Sequence, residues 1–378
     1  MTERIYLDWN ASAPLRPEAR AAALAALEAT GNPSSVHVEG RAARRLIEQA
    51  RDQVAALVGA DPRNVVFTSG GTEANMLALV PAIDGTARDK LLVSAIEHPS
   101  VLAGGRFPAA AVERLAVTAG GEIDLAALER RMAAREGRAL VSLMLANNET
   151  GVVQPISQAA SVVHAGGGLL HVDAVQAVGR ISCDIKVLGA DLLTLSGHKI
   201  GAPKGVGALI ARTALSRLDP LIKGGGQERN MRAGTENVAA IAGFGAAAAA
   251  ARDGLATERA RMAALRERLE ADLKAASPEV VIFGAAAAAA PKPAMAATFS
   301  VPARMLRSCP PPLISGSRRL SAAGRPMSAP TPLGAPILCP DRVRRSAPSA
   351  LISQGIRPAA WTASTCSTPP AAWITRAA

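Results

Sequence analysis

Asn64-Val65-Val66-Phe67-Thr68-Ser69-Gly70-Gly71-Thr72-Glu73-Ala74-Asn75 sets a short apolar run, a glycine pair and a helix-forming stretch in succession. A strand turning on glycine into a helix leaves the first N–H groups of that helix without partners. The helix dipole adds roughly half a positive charge there. Such an end suits a phosphate, and Thr72 can add a hydroxyl donor. A tight strand-to-helix turn with no ligand has the same sequence. No Gly-Lys-Ser/Thr follows, so the run is not a Walker loop. The stretch nearest a dinucleotide fingerprint, Gly224-Gly225-Gly226-Gln227-Glu228-Arg229, lacks the last glycine and follows no convincing strand.

Outward from that turn, residues 16–250 alternate short apolar runs with helical stretches. Strands are predicted over 64–68, 91–95, 140–145, 169–172, 192–195 and 207–210, and helices over 17–29, 40–58, 73–79 and 125–135. Strands separated by helices predict an α/β layer with a largely parallel sheet. Residues 255–276 are charged and heptad-like and suit a helix leading out to a second domain. The alanine run 285–290 and the Pro-Lys-Pro after it are low-complexity.

Hydrophobic residues make up 49% of the 378 residues but aromatics only 2%, so the core must be Ala, Leu, Val and Ile. Met1 to Asn10 carries Glu3, Arg4 and Asp8 and has no signal-peptide core, and the alanine-rich run at 239–251 reads as too short and too weakly apolar for a membrane span. Four scattered cysteines give neither a disulfide framework nor metal-ligand spacing, and a cytoplasmic location is the expectation. The formal charge of +11 is uneven: residues 302–378 hold ten Arg, no Lys and one acidic residue, Asp341, so they contribute +9. Residues 1–301 hold 32 basic and 30 acidic side chains, a net of +2. The tail also has 13 of 26 prolines and three of four cysteines, with no sustained period. A disordered basic tail fits this composition. So does a GC-rich gene read out of frame, which is the reading favoured here. A nucleic-acid-binding tail on an inactive core is the weaker competitor, because such tails mix Lys with Arg and offer aromatics for stacking.

Three further stretches end apolar runs with reactive groups. Leu193-Thr194-Leu195-Ser196-Gly197-His198-Lys199 puts a lysine at a strand end before a glycine-rich loop. For its amine to attack a carbonyl, its pKa of ~10.4 must fall, which partial burial beside a second cation achieves. Lys199 is then a Schiff-base lysine for an aldehyde cofactor, or else a surface loop lysine. His171-Val172-Asp173 closes another run with a carboxylate that can keep a pyridinium nitrogen protonated, or cap a helix. His171 and Asp173 lack third and fourth partners for a metal site. Glu97-His98-Pro99-Ser100 offers a titratable ring, structural if it stands alone. Together they place a phosphate cradle, an imidazole, a carboxylate and a lysine at successive strand ends, where open α/β sheets bind ligands. Pyridoxal phosphate uses that set.

The order of these motifs resembles the cysteine desulfurases, within the aminotransferase-like (fold type I) pyridoxal-phosphate enzymes. The resemblance runs through 6–11, 31–37, 68–75, Glu97-His98, 147–151, 173–176, 196–199 and 224–235, over about residues 5–300. It implies that Lys199 carries the cofactor, His98 stacks on its ring and Asp173 pairs with the pyridine nitrogen. Gln176 would hydrogen-bond the phenolic oxygen, while Gly71, Thr72, Ser196 and His198 hold the phosphate. Asn148 would lie beside cofactor and substrate. Thr235 would reach the phosphate of a partner subunit, which implies a homodimer. It implies a large cofactor-binding domain over 16–250, with 1–15 and 251–301 belonging to a smaller α+β domain and 302–378 outside both.

The implied reaction converts L-cysteine to L-alanine and passes sulfur as a persulfide to an acceptor or scaffold protein, for iron–sulfur cluster or thio-cofactor synthesis. Lys199 and His98 would be catalytic, His98 handling the thiol proton. No metal, nucleic acid or membrane is implied. The chain departs from the family at its carboxyl end. Where the family has a nucleophilic cysteine on a small-residue loop, residues 319–326 have none, and Cys309 and Cys339 lack the flanks. Arg357 only echoes the substrate-carboxylate arginine. Action on selenocysteine or cysteine sulfinate, which depends less on that nucleophile, is the alternative.

Overall fold

The computed structural model describes residues 6–134, 138–213, 218–282 and 299–300. The helices are α1 (Pro17–Glu28), α2 (Val38–Leu57), α3 (Gly71–Ala78), α4 (Pro99–Leu102), α5 (Leu125–Ala133), α6 (Ile156–Ala165), α7 (Ile185–Leu188) and α8 (Val238–Ala276). The strands are β1 (Val65–Thr68), β2 (Ala82–Ile83), β3 (Thr86–Ala87), β4 (Lys90–Ser94), β5 (Val112–Leu115), β6 (Ala139–Met144), β7 (Leu169–Asp173), β8 (Leu192–Ser196), β9 (Gly207–Ala211), β10 (Val281–Ile282) and β11 (Phe299–Ser300).

Seven strands form one sheet in the order β1-β9-β8-β7-β6-β4-β5. The neighbours from β8 across to β5 pair in parallel, and β9 runs antiparallel to both β8 and β1. The largely parallel α/β sheet read from the sequence is present. Strands β1, β6, β8 and β9 are buried at every position, because helices cover both faces. That burial is why they read as unbroken apolar runs. Edge strand β5 reads Val-Glu-Arg-Leu with only Leu115 buried, and gives no such run.

Helices α1, α2 and α8 form one outer layer, with Ala19, Ile47, Ala50, Val54, Phe244, Ala247 and Ala251 in the core. A Cβ on Gly245 would come within 2.5 Å of Ala50 Cα, so the small residues of α8 let two helix backbones approach closely. The run at 239–251, expected to be too short for a span, lies inside a helix of 39 residues that is long and apolar enough to cross a membrane. Its most apolar window is 50% buried inside this chain, and packing against α1 and α2 accounts for its composition. The same helix includes 255–276 and passes residue 250 without a break.

Candidate active site

The carboxyl ends of β7 and β8, the start of α3 and the segment at Ala11-Ser12 enclose a cavity of about 580 Å³. Parallel pairing of β7 with β8 sets Asp173 opposite Thr194, two residues before Ser196, where β8 ends. A one-turn helix, Gly197–Lys199, then delivers His198 and Lys199 to the cavity.

The Lys199 ammonium is half-buried and donates to the carbonyls of Asn10 and of Ala11. Burial lowers its pKa, and the nearby Arg180 guanidinium lowers it further, against the carboxylates of Asp8 and Asp173. Arg180 is therefore the second cation, and it is held at Gln176 by bonds of 3.0 and 2.9 Å to the backbone O and Oε1. Gln176 donates from Nε2 to Asn10 O at 3.1 Å. His198 is lowered by burial and by Lys199 and Lys204, and its Nδ1 lies 3.4 Å from Ser12 Oγ.

Asp173 is buried, and burial raises its pKa. Hydrogen bonds from Asn75 Nδ2 (2.9 Å) and Val175 N (3.0 Å) oppose that rise, as does the nearby Lys199 ammonium. Glu97 behind it is pushed well above the carboxylate range by burial and by the Asp173 charge. His171 is held between Ser142 Oγ at 2.8 Å and Thr194 Oγ1 at 2.9 Å, so both ring nitrogens are engaged.

Across the cavity, α3 begins at Gly71 with Gly70 as an N-cap that has no side chain to cap it. A Cβ at Gly71 would lie 2.9 Å from Val175 Cγ2, so the backbone there is held against the Asp173 loop. Gly71, Thr72, His98, Asn148, Asp173, Gln176, Ser196, His198 and Lys199, all singled out by sequence, line this one cavity. Thr235 does not: it is exposed between Arg232 and Asn237. Asn75 and Ser100, which lie within the quoted stretches but were given no role there, and Lys204 also line the cavity. Residues 319–326, Cys309, Cys339 and Arg357 lie outside the described residues.

The donor set fits a phosphorylated aldehyde with a basic ring nitrogen. A glycine cradle at a helix start suits the phosphate, an amine of lowered pKa suits the carbonyl, and a buried carboxylate suits the ring nitrogen. Sheet, glycine turn and strand-end lysine together define fold type I. The aminotransferase class-V family model matches residues 5–303. A cysteine desulfurase of Gluconacetobacter diazotrophicus is 42% identical over 274 residues, which cover 71% of this chain and 68% of that protein. A solved NifS-like protein from Rickettsia africae superposes with a TM-score of 0.69 at 38% identity, covering 75% of this chain and 78% of that one. A solved complex of SspA with cysteine gives a TM-score of 0.58 at 35% identity, covering 65% of this chain and 72% of that one. The chain belongs to the aminotransferase class-V family and, within it, to the cysteine desulfurases. Enzymes of this family depend on pyridoxal phosphate.

Proposed function

We propose that this chain binds pyridoxal phosphate and converts L-cysteine to L-alanine, passing the sulfur to an acceptor thiol as a persulfide. The observation that carries the reading is the meeting of Lys199, its pKa lowered, with Asp173 and the α3 cradle in one cavity. The bound cofactor supplies an electron sink for the substrate's α-carbon. The Asp173 carboxyl group is held at the cavity wall by Asn75 and Val175, where it would pair with the ring nitrogen. Gly71, Thr72, Ser196 and His198 supply phosphate donors. Lys199 loses its proton more readily than a free lysine, so its Nζ can accept and return a proton beside the substrate. Gln176, fixed by Arg180 and Asn10, would orient a polar ring substituent, and Asn148, which lines the same cavity, would lie beside cofactor and substrate.

Thr235, exposed outside the cavity, fits a role in the site of a second subunit of a homodimer. Cys183, the free cysteine among the described residues, is no sulfur carrier: burial pushes its thiol up to about 12. The family match ends at residue 303, where the composition changes, which supports the out-of-frame reading of 302–378. Translating the last part of the gene in its other two frames tests that reading, and it fails if neither yields a small-residue loop with a cysteine. The activity test incubates purified full-length protein with pyridoxal phosphate, L-cysteine and an acceptor thiol. Alanine and persulfide in equal amounts are expected. A protein that binds the cofactor and forms alanine without sulfane sulfur refutes the transfer step, and one that binds no cofactor refutes the whole reading.

A further inference from the structure

The hydrogen bonds around His98 run in one direction. Asp173 Oδ2 accepts from Asn75 Nδ2 at 2.9 Å. That contact fixes which end of the Asn75 amide is nitrogen, since the opposite orientation would set a carbonyl against a carboxylate. The second hydrogen on Nδ2 goes to Ser100 Oγ, 2.9 Å away. Ser100 Oγ therefore accepts from Asn75, and its own hydrogen is left for His98 Nδ1 at 2.8 Å. Nδ1 also accepts from the Ser100 backbone N–H at 3.2 Å, where His98 caps α4. With two donors converging on it, Nδ1 presents a lone pair to Ser100. Nε2 has no hydrogen-bond partner among the described residues, and the His98 ring lines the cavity.

We propose that Asn75 and Ser100 are positioning residues that keep the neutral His98 ring protonated on Nε2, so that it offers the cavity a hydrogen-bond donor and not a basic lone pair. The sequence-level expectation that His98 takes the thiol proton is thereby reversed. Accepting a proton at Nε2 from this state would require Nδ1 to be protonated against both Ser100 donors, losing the α4 cap. His98 instead stabilises a negative atom, such as a thiolate sulfur, and the thiol proton is left to solvent. The same chain of bonds ties this tautomer to Asp173, so the donor ring and the cavity-floor carboxylate are set together. The tautomer stands on this chain's own hydrogen bonds, and its bearing on catalysis rests on the desulfurase reading.

Full-length protein with isotope-labelled histidine, with and without pyridoxal phosphate, reports ring tautomers through two-bond proton–nitrogen NMR correlations. His98→Asn identifies the signal. Wild type and Ser100→Thr, which keeps the hydroxyl, should both show Nε2–H. Ser100→Ala and Asn75→Ala should each raise the Nδ1–H population about tenfold, the worth of one such bond. Ser100 is half-buried where Asn75 is fully buried, so Ser100→Ala decides should Asn75→Ala fail to fold. An Nδ1–H ring in the wild type, or a Ser100→Ala spectrum identical to it, overturns the proposal. Visible absorbance of bound cofactor and alanine formation are recorded on the same samples. An Nε2–H ring in a protein that shows neither refutes the desulfurase reading and upholds the tautomer.

Discussion

Glu228 and Asp173 are both buried carboxylates beside the central sheet, and they are partnered in opposite ways. Glu228 receives two bonds of 2.8 Å from the forked guanidinium of Arg51 and a third of 2.7 Å from Phe67 N. Arg51 also donates to Val65 O at 2.7 Å and stands 4.9 Å from the Phe67 ring centre. Burial works against the Arg51 charge, but the carboxylate holds its pKa above the ordinary value. That closed pair pins a turn in which Glu228, Arg229 and Asn230 all have positive φ, a backbone costing about 1–3 kcal/mol per residue. Asp173 receives only neutral donors, from Asn75 and Val175, while the Lys199 ammonium influences it without a direct bond. A buried charge with both oxygens bonded to a counter-ion serves structure. One left short of a counter-ion, facing a cavity, is open to a ligand that supplies it.

Four measurements test that contrast. The largest effect belongs to the cavity side: Lys199→Ala should abolish the visible absorbance of bound cofactor and lower alanine formation by about 10⁴-fold. Absorbance that survives the substitution sinks the assignment of this lysine. On the structural side, Glu228→Ala strands Arg51 in the core and should cost about 3–5 kcal/mol in urea unfolding. Asp173→Asn should slow turnover by on the order of 10²–10³-fold. Its unfolding midpoint should rise, because the substitution removes a buried charge that lacks a partner ion. A lower midpoint would show that the two carboxylates do the same job.

The smallest effect concerns His171, buried two residues before Asp173, with a pKa pushed by burial down to about 3. The unfolded chain binds a proton near pH 6.5 that the folded chain refuses until about pH 3. Stability is therefore complete above about pH 6.5 and declines by about 1.4 kcal/mol per pH unit as pH falls toward 3. His171→Gln should flatten that decline, with the midpoint of urea unfolding followed against pH.

Much of this architecture could be read from local sequence. Strands β1, β6, β7, β8 and β9 are apolar runs because both their faces are covered, and the glycine pair at 70–71 marks the turn into α3. Strand β5 escaped because an edge strand has no such run, and α8 read as two segments because its composition changes midway while its hydrogen bonding does not. The need for a second cation beside Lys199 followed from the chemistry of an attacking amine, but that Arg180 supplies it did not.

The sequence alone determined which chemical groups this protein brings to its site, because glycine turns, strand-end residues and helix starts are local features with local physical causes. Tertiary structure decided how those groups are wired. Asn10 O meets Gln176 and Lys199, Asn75 meets Asp173, and Arg51 meets Glu228 across 166, 189, 98 and 177 residues of chain. No local period encodes such pairs. They exist only once the β7–β8 register, the turn into α3 and the segment over Lys199 are in place, and those contacts set the charge on each group.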